Sequence, residues 1–281
     1  MKVAVTGATG FIGRHVVAEL AEHPVKIAVV TRPSSTRTLA LPVDTVVSLD
    51  LHDAPANAFE VMGRPDVLIH LAWDDLPNYK SLHHFELELP AQYRFLKGLI
   101  ESGLQNLVVV GTCFEYGMQS GPLSESVAPS PSNPYGFAKD ALRSELEYLK
   151  KIHPFHLTWA RLFYLYGEGQ AENSLLPQLR QAVERGDPVF NMSGGEQLRD
   201  YLPVDEAARY LVSLAIAKQD IGAVNVCSGT PISVRRLVEG WIKENGWAIR
   251  LNLGYHPYPD YEPMAFWGDS TKLSTLIGKA T

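Results

Sequence analysis

The sequence predicts an α/β chain built on a doubly wound parallel sheet, with a smaller, irregular C-terminal lobe. Three observations carry this expectation. Through the first 165 residues, apolar runs of four to six residues alternate with longer amphipathic stretches, the order produced by successive β-α-β units. A glycine-spaced turn joins the first run to the first amphipathic stretch, as such sheets require where a strand hands over to a helix. Beyond Tyr166-Gly167 the alternation loosens at Pro177, Gly186, Pro188 and Gly194-Gly195, residues that punctuate regular elements.

Taken in order, strands are expected at 2–6, 26–31, 45–49, 67–71, 107–111 and 156–160, and helices at 13–22, 82–102 and 135–152. The helical stretches at 82–102 and 135–152 carry apolar stripes broad enough for more than one buried face. They either cover the sheet or add a homodimer interface. A helix returns at 204–218 and a short strand at 223–227, and the last fifty residues are rich in Tyr, Trp, Pro and Gly. That composition suits a small lobe closing over a pocket. The expected division is residues 1–165 with 204–230 for a nucleotide-binding domain, and 166–203 with 231–281 for a substrate lobe.

With 281 residues and 46% hydrophobic content the chain can bury a large core. A net charge of -6 and a pI near 5.8 argue against a nucleic-acid partner, although a few local arginines could still hold a small anion. No apolar run approaches the roughly 20 residues needed to cross a bilayer. A strand beginning at Lys2 leaves no room for a signal peptide, so a cytoplasmic protein without a membrane partner is expected. Cys113 and Cys227 are the only cysteines, too few for a disulfide framework or a zinc site, and no metal is expected. Nothing near Cys113 resembles a base, so it reads as a buried thiol rather than a nucleophile.

Gly7, Gly10 and Gly13 lie between the first strand and the first helix. A tight turn, a close approach of backbone to a pyrophosphate and a helix starting near the sheet each exclude a Cβ. The helix N-terminus then offers unpaired N–H groups to the phosphates. The second strand ends at Thr31-Arg32 with no acid, and Ser34, Ser35 and Arg37 follow. An acid there would bind a ribose 2′-hydroxyl, whereas a guanidinium suits a 2′-phosphate. NADP(H) is therefore expected over NAD(H), the alternative being a solvated loop arginine.

Tyr135 and Lys139 stand four residues apart, one above the other on a helix beginning near Pro134. A phenol of ordinary pKa ~10 is a poor base at neutral pH. An ammonium one turn away favours the phenolate, and in reduction the same phenol delivers a proton. Thr112, at the end of the preceding strand, is placed to hydrogen-bond the reacting oxygen.

These segments together resemble an extended short-chain dehydrogenase/reductase, in its nucleotide-sugar epimerase/dehydratase/reductase group, and the resemblance runs nearly end to end. Thr6 to Gly13 matches TGxxGxxG, His70-Leu71-Ala72-Trp73 is similar to HLAA, Gly111 to Gly117 to SSxxVYG, and Asn133 to Lys139 to NPYxxxK. Arg161-Leu162-Phe163 with Tyr166-Gly167 resembles RxxNxYGP, Gly195 to Tyr201 resembles GxxxRDY, and Asn225 to Gly229 resembles YNIGSG. The resemblance implies a Rossmann fold with Tyr135 and Lys139 as acid/base pair beside Thr112. It places Phe11 and Ile12 with the glycines, Asp50 and Leu51 at the adenine, and Leu71, Ala72, Trp73 and Leu162 along the cofactor. Phe114, Glu115, Tyr116 and Phe163 would face a sugar. Arg199 would meet the diphosphate of a nucleotide-sugar, unless it is paired with Asp200 or Asp205.

Two departures stand out. Tyr164 replaces an Asn that often touches the diphosphate. The stretch Tyr258 to Pro263, before Phe266-Trp267-Gly268-Asp269, lacks the arginine that epimerases commonly supply there. Tyr255, Tyr258, Tyr261, Phe266 and Trp267 could stack on a ligand or pack the small lobe. A dehydratase would carry an Asp-Glu pair where Cys113-Phe114 stands. The expected activity is an NADPH-dependent reductase of a nucleotide-linked 4-keto-6-deoxyhexose. The alternatives are a 4-epimerase and a non-catalytic NADP-binding regulator, the last disfavoured because Tyr135 and Lys139 are both kept.

Overall fold

The computed structural model describes residues 1–34, 42–76 and 78–278. The chain runs β1 (Lys2–Thr6), α1 (Phe11–Ala21), β2 (Lys26–Thr31), β3 (Thr45–Ser48), α2 (Ala58–Val61) and β4 (Val67–His70). One π-helical turn at His84–Glu88 leads into α3 (Leu89–Glu101), followed by β5 (Asn106–Thr112) and a 3-10 turn at Cys113–Tyr116. Next come β6 (Gly121–Leu123), α4 (Pro134–Lys150), β7 (His156–Leu162), β8 (Tyr164–Tyr166), α5 (Leu175–Glu184), β9 (Val189–Asn191) and β10 (Leu198–Pro203). The chain ends with α6 (Val204–Ala217), β11 (Gly222–Val226), β12 (Pro231–Ser233), α7 (Val234–Asn245), β13 (Arg250–Asn252), β14 (Phe266–Gly268) and α8 (Thr271–Ile277).

Seven of these strands form one parallel sheet in the order β3-β2-β1-β4-β5-β7-β11. Side chains alternate between its faces. Val3, Val5, Ile27, Val29, Val67 and Ile69 meet α1 and α6 through Val16, Val17, Leu20 and Leu211. Ala4, Ala28, Val30, Leu68, Leu107 and Val109 meet α3 and α4 through Phe95, Leu96, Leu99, Leu142 and Leu146. The doubly wound α/β sheet expected from the alternation is thus present. The strand order reverses between β1 and β4, and a cleft opens there at the C-terminal ends of the strands, the place where such sheets bind ligands.

The C-terminal part holds more regular structure than its glycines and prolines imply. Pro177 falls in the first turn of α5, where a missing N–H leaves no bond unmade. Ser233 caps α7 by accepting from the Arg236 N–H at 3.2 Å, and Gly246 closes it in the left-handed conformation. Leu176, Leu179, Phe190, Met192, Leu237, Val238 and Trp241 then form a separate apolar core. Among the described residues no helix is long and apolar enough to cross a membrane.

Candidate active site

Thr6, Gly7, Thr9, Gly10, Arg32 and Trp73 are among the residues lining the cleft, whose volume is about 710 Å³. Gly7 has φ +69, and a Cβ there would lie 2.9 Å from Ala72 N. A Cβ at Gly13 would lie 2.1 Å from Gly7 O. Both glycines are dictated by contact. Phe11 and Ile12 open α1, whose first turn contains no acid, so its dipole and free N–H groups remain available to an anion. These residues fit a dinucleotide. Asp50 and Leu51 from the end of β3, with Leu71, Ala72 and Trp73 after β4, line the same cleft, while Leu162 ends β7, in register with Thr112.

Arg32 stands at the mouth of this cleft, half exposed, and Nη1 donates to Asp74 Oδ2 at 2.9 Å. The guanidinium expected to face a 2′-phosphate is therefore held by a carboxylate of the chain. Ser34 also lines the cleft, whereas Ser35 and Arg37 lie outside the described residues.

Asn133 caps α4 through the Gly136 N–H at 2.8 Å, and Pro134 occupies the first turn. A Cβ at Gly136 would meet Phe114 O at 2.5 Å, so the helix starts hard against the 3-10 turn that follows Thr112. Tyr135 and Lys139 are consequently both buried. Burial, with Tyr79, Glu115 and Cys113 nearby, pushes the Tyr135 phenol well above its ordinary value, and a Thr112 hydrogen bond opposes the shift. Lys139 Nζ donates to Val110 O at 3.0 Å and lies 3.9 Å from the Trp73 ring centre. Its remaining donors suit the hydroxyls of a cofactor ribose.

The segment after Thr112 departs from expectation. Glu115 is fully buried and turns inward. Its Oε1 accepts from Thr112 N and Trp159 Nε1, both at 2.9 Å, and its Oε2 from Arg161 Nε at 2.6 Å. Tyr116 donates to Asn225 Oδ1 at 2.7 Å and accepts from Arg161 Nη1 at 3.0 Å. Both are corrections: their polar atoms are saturated by protein partners, so neither faces a sugar. Phe163 packs with Tyr116, Cys227 and Phe266 in a small apolar cluster. Phe114 stays beside Tyr135, at 6.3 Å between ring centres. Cys113 is buried, and burial pushes its thiol up, in keeping with an unreactive group.

Arg199 is buried, and its partner is neither Asp200 nor Asp205. Nη2 pairs with Glu262 Oε1 at 2.8 Å. Asp200 instead accepts from Ser228 N and Oγ, both at 2.7 Å, and from Gly229 N at 2.9 Å.

The sequence reading missed a polar chain beneath the cleft. Thr6 Oγ1 accepts from Leu71 N and Ala72 N, which leaves its proton for His70 Nδ1 at 2.9 Å. His70 Nε2 donates to Gln92 Oε1 at 2.8 Å, and Gln92 donates to the buried Glu88 at 2.8 Å. Burial, then Lys139, holds the His70 imidazole down to about 3, so it stays neutral. The i, i+4 spacing of Glu88 and Gln92 was the one available signal. Tyr79 was missed as well; its ring lies 5.5 Å from that of Tyr135.

The family model for the NAD dependent epimerase/dehydratase family matches residues 3–227. The chain is 30% identical to a dTDP-6-deoxy-L-talose 4-dehydrogenase (NAD(+)) of Aggregatibacter actinomycetemcomitans, over 95% of this chain and 99% of that protein. It is 26% identical to a dTDP-4-dehydro-6-deoxyglucose reductase of Escherichia coli, over 84% of this chain and 79% of the relative. The solved structure of MoeE5 in complex with UDP-glucose and NAD superposes with a TM-score of 0.83 at 26% identity, covering 99% of this chain and 92% of that one.

The buried Glu115–Arg161 pair yields a stability prediction. Glu115→Gln leaves a guanidinium uncompensated in the interior and is expected to cost about 3–5 kcal/mol, read as a lower denaturant midpoint at unchanged m-value.

Proposed function

The chain belongs to the NAD dependent epimerase/dehydratase family, and on that premise we propose that it is an NADPH-dependent reductase of a nucleotide-linked 4-keto-6-deoxyhexose. The observation that carries the reading is the buried Tyr135, kept protonated by its surroundings with Thr112 and Lys139 at hand. A neutral phenol is a proton donor awaiting a developing alkoxide. When bound, the nicotinamide supplies the hydride. Tyr135 gives its proton to the C4 oxygen, Thr112 hydrogen-bonds that oxygen, and the Lys139 ammonium stabilises the phenolate left behind. The two curated relatives are named for oxidation at C4 of a deoxysugar and for reduction of a 4-keto sugar, the same class of redox step on different sugars, named in opposite directions. Exposed Leu87, Phe137 and Tyr148 on or beside α3 and α4 support a homodimer through these helices.

The NADPH preference rests on Arg32 and on the absence of an acid at the end of β2. Asp74 works against it, because a 2′-phosphate must displace that carboxylate from Arg32. The Aggregatibacter relative, named as NAD(+)-dependent, also weighs on the NADH side.

Three measurements test this reading. Purified protein with NADPH is expected to reduce a dTDP-, CDP- or GDP-linked 4-keto sugar, and Tyr135→Phe to lose at least 10²-fold in kcat. Interconversion of epimers without net cofactor use would select the epimerase instead. Arg32→Asp is expected to lower kcat/KM for NADPH about 10- to 100-fold relative to NADH, and Asp74→Asn to raise it about threefold, the scale of an exposed ion pair. An unchanged cofactor ratio in Arg32→Asp removes the preference.

A pH profile supplies the third. Burial pushes Lys139 down to about 7, opposed by Glu115 and Glu88. Below that pH the free enzyme carries the ammonium, and above it the amine is neutral. The kcat/KM for reduction is therefore expected to fall as pH rises through 7. Stability moves the opposite way. Between about 7 and the ordinary lysine value of 10.5 the unfolded chain holds a proton the native one has released, so this residue's contribution increases with pH.

A further inference from the structure

Arg199 on β10 is a fork-shaped donor whose two terminal nitrogens both have partners within the protein. Nη1 donates to Leu198 O at 2.8 Å and Met264 O at 3.2 Å, and Nη2 pairs with Glu262. Its guanidinium carbon lies 4.7 Å from the Phe266 ring centre and 5.9 Å from that of Tyr164. The Tyr164 hydroxyl donates to the second oxygen of the same Glu262 carboxylate. The two departures noted in the sequence, Tyr164 for Asn and an acidic stretch without arginine before β14, therefore meet at one point. The anion seat that would hold a diphosphate already holds a carboxylate.

The segment delivering that carboxylate is tied at its two ends, where Tyr255 N and His256 N donate to Met192 O at 3.0 and 3.4 Å and Met264 O accepts from Leu198 N at 2.9 Å, and is more lightly held between them. Residues 252–258 and Asp260 are exposed. Lys80 and Asp260 form a surface pair at 3.3 Å, of the kind that contributes little. Tyr261 leans on Phe114 and Tyr79 at 6.2 and 6.4 Å between ring centres, placing the segment over the rings around Tyr135. Among these residues Glu262 is the acid driven inward, its side chain 10% exposed.

We propose that Glu262 is a tethered competitor for the phosphate subsite, and that a nucleoside diphosphate binds by displacing it from Arg199 and Tyr164. Residues 257–263, between those ties, move aside as it does so. This rests on the nucleotide-sugar reading above. The physical reason is charge. One buried guanidinium neutralises one anion, and a diphosphate placed against an intact Glu262 would meet a like charge in a low-dielectric interior. Exchange takes the carboxylate out of the seat, so that the guanidinium meets a phosphoryl group in place of Glu262 rather than beside it. It also lowers affinity by the fraction of molecules in which the seat is closed, making Glu262 a determinant of KM more than of kcat.

Glu262→Gln preserves shape and the Tyr164 contact while removing the charge. Calorimetric titration of the full chain with dTDP, UDP, GDP and CDP is expected to show at least one diphosphate binding tenfold or more tighter to Glu262→Gln than to the parent. Hydrogen exchange of the parent protein should show 257–263 exchanging faster once that diphosphate is bound, a readout independent of any variant's folding. Equal or weaker binding to Glu262→Gln, unchanged exchange in the segment, or no binding of any of the four would overturn the proposal. Reduction of 4-keto nucleotide-sugars is scored separately. Turnover with no tightening sinks the exchange and leaves the functional reading, and tightening without turnover does the reverse.

Discussion

One buried carboxylate organises the catalytic end of the sheet. Glu115 takes two hydrogen bonds on one oxygen and the Arg161 guanidinium on the other, which closes its accounts without water. The Thr112 N–H is one of those donors, so the residue at the end of β5 is fixed by the residue three positions on. Gly111 is the steric counterpart: a Cβ there would meet Trp159 Nε1 at 2.2 Å and Glu115 Oε1 at 2.4 Å. From this anchor the 3-10 turn sets Phe114, and Phe114 O sets the start of α4 through Gly136. Tyr135 and Lys139 are thus placed by contacts running back to a carboxylate whose oxygens are both bonded within the protein.

The same carboxylate shapes the electrostatics. An ammonium at Lys139 has left water for a site whose direct partners are one carbonyl and an indole face. Burial works to neutralise it, and Glu115 with Glu88 restores part of the balance. Beneath it, His70 stays neutral between Thr6 and Gln92. Thr6, His70 and Gln92 are matched to one another, while the helix terminus, the lysine and the phenol are placed to act on something that enters.

Much of this was legible because it is local. Strand and helix periods, the contact of Gly13 with Gly7, and the Asn133 cap with Pro134 and Gly136 are each written within a few residues of where they act. Glu115 and Tyr116 were misdirected because the family resemblance turned all of the loop after the strand toward a sugar, whereas the 3-10 turn that forms there carries these two side chains inward. Their partners, Trp159, Arg161 and Asn225, arrive from two other strands. α5 escaped notice because Pro177 reads as a breaker unless its first-turn position is known. Glu262 likewise meets its partner from 63 residues away, with only the missing arginine as a local sign.

Both arginines that the sequence marks for phosphates are held by acids of the chain, and their burial separates the consequences. Arg32 and Asp74 are about half exposed, where water solvates either partner once the pair opens and the pair is worth at most about 1 kcal/mol. A cofactor phosphate can compete for such a guanidinium with little change around it. Arg199 is sealed with its partner, and leaving either one alone in the interior is the costly event. The exchange proposed for it would have to be concerted, the incoming anion arriving as the carboxylate leaves. On the roles proposed above, burial separates the two guanidiniums: the exposed one would adjust which cofactor is preferred, and the enclosed one would bind a diphosphate only as Glu262 leaves.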